Sequence, residues 1–449
     1  MLPRADGLLG SRTVMATHTL GDSSESRSGS RYALGLLSLV YAVNLMDRQL
    51  LSILLEPIKQ DLGISDTALG FLTGFAFAIF FSVAGIPIAR WADRGSRRDV
   101  IAIGLVLWSL ATAASGLALS FVHLALARIG VGVGEAAGNP PAQAMISDYF
   151  PPERRATAIA VFTMGANVGI MMGLVAGGWL ADQVGWRQTF LIVGLPGIAL
   201  ALVIRLTLRE PSRGASEGRG DIDAPPSLAE VLRYFARMRT YRHICAATAL
   251  YNFASYGFLA WVPTFLIRVH EMSPTEVGLS LGPIAGIAGA AGTLTGGLLG
   301  DRLGLRDVRW RMWIPAVGGL GTAPFLFAFL FLPDASQAVL CYVPIAFFGA
   351  IWSGPTYAIV QGLAKLRMRA MAAAVLIFAL NFFGMGLGPQ IVGLLNDLLD
   401  VRFAGEAIRY SLLLVGLAKI WGSLHSVLGA RSLEADLRSA AEPAGGERS

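Results

Sequence analysis

Residues 41–52 read YAVNLMDRQLLS and place two adjacent opposite charges, Asp47 and Arg48, inside a long apolar run. The run begins near Tyr32, so at the helical rise Asp47 lies about 22 Å along an α-helix. That depth is at or past the centre of a hydrocarbon layer about 30 Å thick, where charged side chains are costly. A membrane-spanning chain that keeps such a pair is expected to use it and to give it partners or water.

The composition of the chain is typical of a multi-span membrane protein. Hydrophobic residues make up 54% of the sequence and charged residues only 15%, with 53 glycines. The net charge of +6 does not indicate nucleic-acid binding, because most Lys and Arg residues lie in short connections between apolar runs. The five histidines lack metal-ligand spacing, so we predict no metal site and no cofactor beyond a proton gradient.

Twelve apolar segments predict an all-α membrane protein with twelve transmembrane helices, called spans 1 to 12. They cover residues 32–54, 67–89, 99–119, 122–147, 156–181, 187–208, 242–267, 275–299, 310–332, 336–363, 370–396 and 407–429. Lys and Arg concentrate in the two tails and in every second connection. This bias predicts that both termini lie in the cytoplasm, with the protein in the plasma (inner) membrane.

The connections divide the chain into two halves. We expect a disordered cytoplasmic tail over 1–31, a six-helix bundle over 32–208, a cytoplasmic linker over 209–241, a second six-helix bundle over 242–429 and a C-terminal tail over 430–449. Within the linker, SLAEVLRYFARM predicts a short amphipathic helix at the membrane surface. A plain tether between the halves is the alternative.

An internal repeat relates the two halves. ARWADRGSRR follows span 2 with Asp93 and Arg94, and GGLLGDRLGLR follows span 8 with Asp301 and Arg302. Acidic-basic turns at equivalent places indicate a duplication, and hence two pseudo-symmetric six-helix bundles that work by alternating access about a central site. We expect these four residues to close the cytoplasmic face, with Arg154 as a partner; solvated turns are the alternative.

These turns resemble the signature turn of the major facilitator superfamily. ARIGVGVGEAAGNPP in span 4 resembles the superfamily's Arg-x-x-x-Gly-x-Gly motif, matched by Arg128, Gly132 and Gly134. NLMDRQ, RIGVGVGEA and ISDYFPPERRATA together resemble the Spinster group, whose members are associated with sphingosine-1-phosphate and lysolipids. The resemblance implies a transporter whose spans 1 and 4 line a central cavity.

Span 4 offers partners for the charges of span 1. Arg128 and Glu135 are seven residues apart and so lie on nearly one helix face. We predict that Asp47 and Glu135 exchange protons while Arg48 and Arg128 tune their pKa values and bind an anionic group, and that Asp47 pairs with Arg128 in at least one state of the transport cycle. A permanent buried salt-bridge network that fixes helix packing is the alternative.

The corresponding stretches of the second half, ALYNFASYGFLAWVPTF in span 7 and FFGAIWSGPTYAIVQ in span 10, carry aromatic residues and no charge. Spans 7 and 10 contribute Tyr251, Asn252, Phe253, Tyr256, Trp352 and Tyr357 to the predicted substrate cavity. One charged wall and one aromatic wall suit an amphiphile, with its headgroup on the arginines and its tail on the other side. Packing or lipid-facing positions are the alternative for each of these residues.

Sequence motifs distinguish an ATP-driven pump, an enzyme and a secondary transporter. No Walker A lysine follows a glycine, which excludes an ATP-driven pump within this chain, and no nucleophile with a base lies in the spans, so we predict no enzyme. A monomeric, proton-coupled secondary transporter of a lysophospholipid or of sphingosine-1-phosphate is our first hypothesis. A symporter of a small organic anion such as a sugar acid, with Asn252 and Gln390 among its hydroxyl partners, and a hydrophobic-drug exporter are the alternatives.

Overall fold

The computed structural model of the chain describes residues 22–212, 228–364, 368, 375–377 and 380–441. Ten helices among these residues are long and apolar enough to cross a membrane. One of them, Thr157–Thr207, contains two spans that meet at Gly185, where the backbone leaves the helix with φ of 78°. The helix Asp22–Leu62 contains the apolar run of span 1. The predicted all-α membrane fold is confirmed, with a span count that agrees with twelve when these helices are divided in this way.

The helices follow the predicted order. In the first half they are Asp22–Leu62 (span 1), Asp66–Thr73 with Phe75–Arg94 (span 2), Arg97–Ser115 (span 3), Phe121–Glu135 with Asn139–Tyr149 (span 4) and Pro152–Thr207 (spans 5 and 6). In the second half they are Arg239–Val269 (span 7), Pro274–Gly304 (span 8), Trp310–Phe331 (span 9), Ala335–Ala350 with Ser353–Leu363 (span 10), Leu380–Leu387 with Gly388–Phe403 (span 11) and Ala407–Gly416 with Ala418–Ala430 (span 12).

Side-chain caps fix where several spans begin. Ser65, Ser96, Ser120 and Asp334 each accept a hydrogen bond from a main-chain N–H in the first turn of spans 2, 3, 4 and 10. Ser273 forms a reciprocal capping box with Glu276 at the start of span 8. These contacts satisfy donors that have no partner inside the helix, so the short connections define the span ends.

Glycines set the packing of span 5 against span 1. Gly165, Gly169, Gly173 and Gly177 recur at every fourth position, and a Cβ on each would meet residues of span 1 from Ser38 to Ile53. Small residues in such a row let two membrane helices approach until their backbones touch. This contact holds the charged segment of span 1 firmly within the first bundle.

Parts of the N-terminal segment and of the linker between the bundles are helical. Span 1 starts at Asp22, before its predicted start, while residues 1–21 and Ser227 lie outside the described residues. A helix forms at Leu228–Arg237, as one of the two linker hypotheses predicted, and Val231 and Phe235 on it are buried against the second bundle. The linker helix therefore packs on protein.

The hydrophobic core shows how the bundles meet. We call the side of the molecule where spans 1 and 12 have their terminal ends the terminal face, and the other side the opposite face. Toward the opposite face one apolar cluster contains residues of both bundles, such as Leu54, Leu72, Trp261 and Phe265. Toward the terminal face the clusters are separate, each lying mainly within one bundle. The bundles are thus packed together at the opposite face.

Candidate functional site

Asp47 points away from the arginine beside it, into the interior of the first bundle. Its side chain is 1% exposed. Its Oδ2 accepts a hydrogen bond of 3.2 Å from the hydroxyl of Thr112 on span 3, and its Oδ1 is buried with no hydrogen-bond partner among the described residues. The charged groups that act on it are Glu135 and Arg128 of span 4.

Arg48 connects the two bundles through the centre of the molecule. Its Nε donates a hydrogen bond of 2.7 Å to Oε2 of Glu135, a carboxylate that is 1% exposed. Its Nη1 lies 3.8 Å from the sulfur of Met385 on span 11, and its guanidinium stacks on Phe77 at 4.7 Å. The ion pair therefore joins Arg48 to Glu135, where the sequence had predicted a pair between Asp47 and Arg128.

Arg128 is the cation of the site that has no ion pair among the described residues. It is 2% exposed, and its Nε and Nη1 have no hydrogen-bond partner there. Its guanidinium lies 5.6 Å from the ring of Phe77. A buried charge without a hydrogen-bonded partner is costly, so this side chain is well suited to receive an anionic group.

A cavity of about 160 Å³ lies between these charges and the second bundle. Arg48 and Arg128 line it together with apolar residues: Leu51, Phe77, Ile170, Leu259, Met385 and Pro389. Two of its hydroxyl residues already bond to the main chain, since Ser52 donates to the carbonyl of Ala260 and Thr73 to that of Leu69. The cavity therefore combines two guanidinium groups with a largely apolar wall.

The six residues predicted for the second wall are spread over different surroundings. Tyr256 lines the cavity, whereas Phe253 lines a separate apolar groove among spans 7, 11 and 12. Tyr251 bonds to Ser426 and packs near Trp352. The amide of Asn252 donates to the carbonyl of Thr248, and the side chain of Tyr357 is 38% exposed.

A cluster of charges at the opposite face ties the two bundles together, and the sequence reasoning missed it. Arg268 of span 7 donates to Glu56 of span 1 at 2.5 Å and to Asp66 of span 2 at 2.8 Å. Asp66 also accepts from Asn396 of span 11 at 2.9 Å. The carboxylate of Asp397 accepts from the main-chain N–H groups of residues 66 and 67, so span 11 caps span 2 across the interface. The signal for this cluster in the sequence was the presence of charged residues at the ends of four spans.

The five residues predicted to close the terminal face are exposed. They are Asp93, Arg94, Arg154, Asp301 and Arg302. Their role in closing that face stays a prediction for another conformation.

Arg97, which lies in the turn after span 2, forms two ion pairs. It is buried and donates to Asp148 at 2.5 Å and to Glu210 at 2.8 Å, which links the ends of spans 3, 4 and 6 within one bundle. Burial raises the pKa of Glu210, but hydrogen bonds from the N–H of Arg98 and from Arg97 outweigh it and lower the pKa below its ordinary value.

Comparisons with known proteins agree with this architecture. The sequence matches the Major Facilitator Superfamily over residues 37–389. It is 36% identical to an MFS-type efflux pump of Mycolicibacterium smegmatis over 87% of this chain and 90% of that protein. It is 27% identical to a probable L-galactonate transporter of Escherichia coli, with 87% of each covered, and 28% identical to the human protein spinster homolog 1, over 92% of this chain and 82% of that one.

A solved structure has a similar fold over most of the chain. It is a bacterial homolog to the human lysosomal transporter Spinster in an inward-facing and unoccupied conformation, with a TM-score of 0.83 and 31% identity. The match covers 91% of this chain and 98% of that one. With the matched superfamily region and the two packed bundles, these findings show that the chain belongs to the major facilitator superfamily of membrane transporters.

Proposed function

We propose that this protein is a proton-coupled secondary transporter that moves an amphiphilic anionic lipid, such as a lysophospholipid or sphingosine-1-phosphate, by alternating access. The observation that carries the proposal is a set of four charges, of which Asp47, Arg128 and Glu135 are buried and Arg48 is partly buried, beside a cavity with a mostly apolar wall. Intramembrane ionisable residues usually mark substrate or proton paths.

In this mechanism the arginines bind the headgroup. Arg128 has no competing ion pair among the described residues and takes the phosphate or other anionic group first. Arg48 then divides its charge between that group and Glu135, to which it now bonds. Weakening of the Arg48–Glu135 pair lets Glu135 accept a proton, which couples substrate occupancy to protonation.

Asp47 is the second proton carrier in this proposal. Its carboxyl has one hydroxyl donor and a buried oxygen with no partner in the described region, an arrangement that favours an uncharged acid over an ion. When the bundles rock, a change in its distance from Arg128 alters that preference. The pair predicted from the sequence belongs to such a second state.

The orientation and conformation complete the proposal. The excess of Lys and Arg in the tails and connections on the terminal face supports an orientation with that face on the cytoplasmic side of the plasma membrane. The packed opposite face then corresponds to an inward-facing conformation, as the solved Spinster homolog has. The protein acts as a monomer, with each bundle providing one wall of the cavity.

A sugar-acid symporter is the second candidate, favoured by the similarity to the probable L-galactonate transporter. The polar groups near the cavity argue for a lipid instead. A sugar needs several hydrogen-bonding partners, yet the cavity wall is mostly apolar and two of its hydroxyl residues, Ser52 and Thr73, already donate to main-chain carbonyls. A hydrophobic-drug exporter, favoured by the similarity to the efflux pump, does not by itself explain two arginines at the cavity.

Transport by the purified protein in proteoliposomes tests the proposal. A lysophospholipid, sphingosine-1-phosphate, a hexuronate and a cationic dye are offered side by side, with and without a pH gradient. We expect the two lipids to move and their flux to depend on the gradient. Hexuronate transport alone would support the second candidate, and dye transport alone the third.

Two variants test the proton carriers in the same assay. Asp47→Asn and Glu135→Gln are each expected to remove the dependence on the pH gradient while leaving downhill exchange of substrate. If both variants keep a normal gradient dependence, the proton assignment is wrong.

A further inference from the structure

Thr112 of span 3 is the residue that contacts the carboxylate of Asp47. It is fully buried, at 0% exposure, and its hydroxyl donates to Oδ2 at 3.2 Å. Its surroundings in the sequence, LWSLATAAS, are otherwise apolar or small. The contact joins span 1 to the interior of the first bundle at the level of the charged set.

Among the described residues, the groups that act on Asp47 belong to spans 3 and 4. Span 4 contributes the charged groups Arg128 and Glu135, and span 3 contributes the hydroxyl of Thr112. The adjacent Arg48 bonds to Glu135 and to Met385 instead. Thr112 is therefore the hydrogen-bond donor that the described residues supply directly to this carboxyl group.

A hydroxyl is suited to both protonation states of a carboxyl group. It donates to an ionised carboxylate, and after protonation it can rotate and accept from the acid O–H while donating to a carbonyl one helical turn earlier. A methyl group of similar size can do neither. The presence of a threonine at this buried position therefore affects the balance between the two states.

We propose that Thr112 is a positioning residue for the proton carried by Asp47, which holds the carboxyl against span 3 and sets the pH range over which it changes protonation. The inference rests on the proposed proton coupling and adds to it a residue that touches neither the substrate cavity nor the solvent. Thr112 stabilises the ionised form by donating to it.

The test is the pH profile of gradient-dependent transport for Thr112→Val, which keeps the shape and removes the hydroxyl. Loss of a hydrogen bond to the ionised carboxylate favours the protonated form, so the midpoint of the profile is expected to move up by about one pH unit. Thr112→Ser restores the hydroxyl and is expected to return the midpoint to the wild-type value.

Thr322→Val is the matched control, because Thr322 is also buried but donates to the carbonyl of Gly318 on its own helix. Its profile is expected to stay in place. If Thr112→Val yields too little protein, Thr112→Ala makes the same test. An infrared difference spectrum recorded through the titration adds a second measurement, since the carbonyl band of protonated Asp47 shifts when its hydrogen-bond partner is removed.

The outcomes separate the inference from the proposed function. If Asp47→Asn removes the pH dependence while Thr112→Val leaves midpoint and infrared band unchanged, Thr112 has no positioning role and the proton proposal stands. If Asp47→Asn and Glu135→Gln both keep the dependence, the proton proposal fails and the inference fails with it. A shift in Thr112→Ser as large as in Thr112→Val would also overturn the inference, because it would show an effect of packing.

Discussion

Asp47 and Arg48 are neighbours in the chain but serve different surfaces of span 1. Successive helical residues point about 100° apart, so one side chain enters the bundle interior and the other reaches the cavity. Asp47 meets Thr112, and Arg48 meets Glu135 and Met385. In the proposed mechanism, this divergence lets one short segment present a proton-binding group and a substrate-binding group, both of which lie close to charges of span 4.

At Arg128 we expect a change in substrate affinity. Arg128→Gln removes the cation that has no ion pair among the described residues, and a charge-assisted hydrogen bond is worth enough to raise KM for an anionic lipid about tenfold to a hundredfold. Transport kinetics in proteoliposomes measure this value. Arg205→Gln, which removes an exposed arginine from span 6, is the control; an unchanged KM in Arg128→Gln would contradict the headgroup assignment.

At Glu210 we expect a pH-dependent effect on stability. Its folded pKa lies below the ordinary value of 4.5, so its stabilising contribution is present above that pH and is lost as the pH falls through the folded pKa. Glu210→Gln is expected to lower stability by at most about 1 kcal/mol at pH 7, because the site is partly exposed. Thermal unfolding in detergent at pH 7 and pH 4 measures the difference.

The exposed carboxylate Asp93 at the same face provides the control for Glu210. Asp93→Asn is expected to leave the unfolding temperature unchanged at both pH values. A Glu210→Gln effect that grows toward low pH would have the wrong sign and would contradict the assignment.

The four central charges could be predicted from the sequence because a charged side chain deep in an apolar run is rare unless it serves a substrate or ion path. Thr112 could not, since a buried threonine usually bonds to its own helix, as Thr322 does. Glu56, Asp66 and Arg268 could not either, because charged residues are ordinary at span ends. Their function depends on which ends meet across the bundles, and that depends on the conformation.

Span 11 is the element whose structure departs most from a regular helix. Residues Leu380–Leu387 form a π-helix, which is rare and is frequently found at functional sites. Met385 within it contacts Arg48 and lines the cavity, while Phe383 and Leu387 line the apolar groove on another side. This segment therefore separates the central cavity from the groove, and a shift within it would change the shape of both.

Close contact between spans 2 and 11 predicts a conformational effect at Gly74. A Cβ there would collide with the main-chain oxygen of Gly386, so Gly74→Ala pushes the bundles apart at this point. Overpacking of this kind costs about 1 to 3 kcal/mol, enough to reduce the population of this conformation about tenfold.

Thiol labelling measures the effect at Gly74. A Leu45→Cys probe in the cavity, with Cys245 and Cys341 replaced by Ser, is expected to react faster with a membrane-impermeant reagent added at the opposite face. Gly85→Ala on the same span is the matched control, because no atom lies within 4 Å of its Cβ position. Equal labelling rates in the two variants would rule out the glycine contact as a determinant of closure.

Element order could be predicted from the apolar runs, and the details inside the elements could not. Prolines mark the breaks in spans 4 and 10, just before Pro140 and Pro355, but the apolar runs predicted each span as one continuous helix. The placement of Tyr251 and Phe253 shows the same limit, because two residues on one helix face different neighbours. Sequence periodicity indicates that a helix is buried, but not which neighbour covers each side.

At the scale of the whole molecule, the apolar core that the two bundles share lies mainly at the opposite face. The apolar cluster that crosses between them is accompanied by the charged cluster around Arg268, so apolar burial and ion pairs close the same face. Alternating access requires both to separate together. Hydrophobic contact between the bundles is attractive but not directional. The ion pairs and the hydrogen bonds to Asp397 are directional, so they fix how the two bundles align.

Arg268→Gln is therefore expected to move the whole molecule toward a state open at the opposite face. The change removes the cation shared by Glu56 and Asp66, although Asp66 keeps Lys59 and Asn396, so we expect about a tenfold change in the ratio of the two states. Spin labels at Leu119 and Val401, exposed near this face on different bundles, measure the separation. Arg187→Gln breaks an ion pair with Asp61 at the same face within one bundle, and its distance distribution is expected to match the wild type. A wider distance distribution in Arg187→Gln would show that general loss of charge controls closure. An unchanged distribution in Arg268→Gln would show that the apolar core alone controls it.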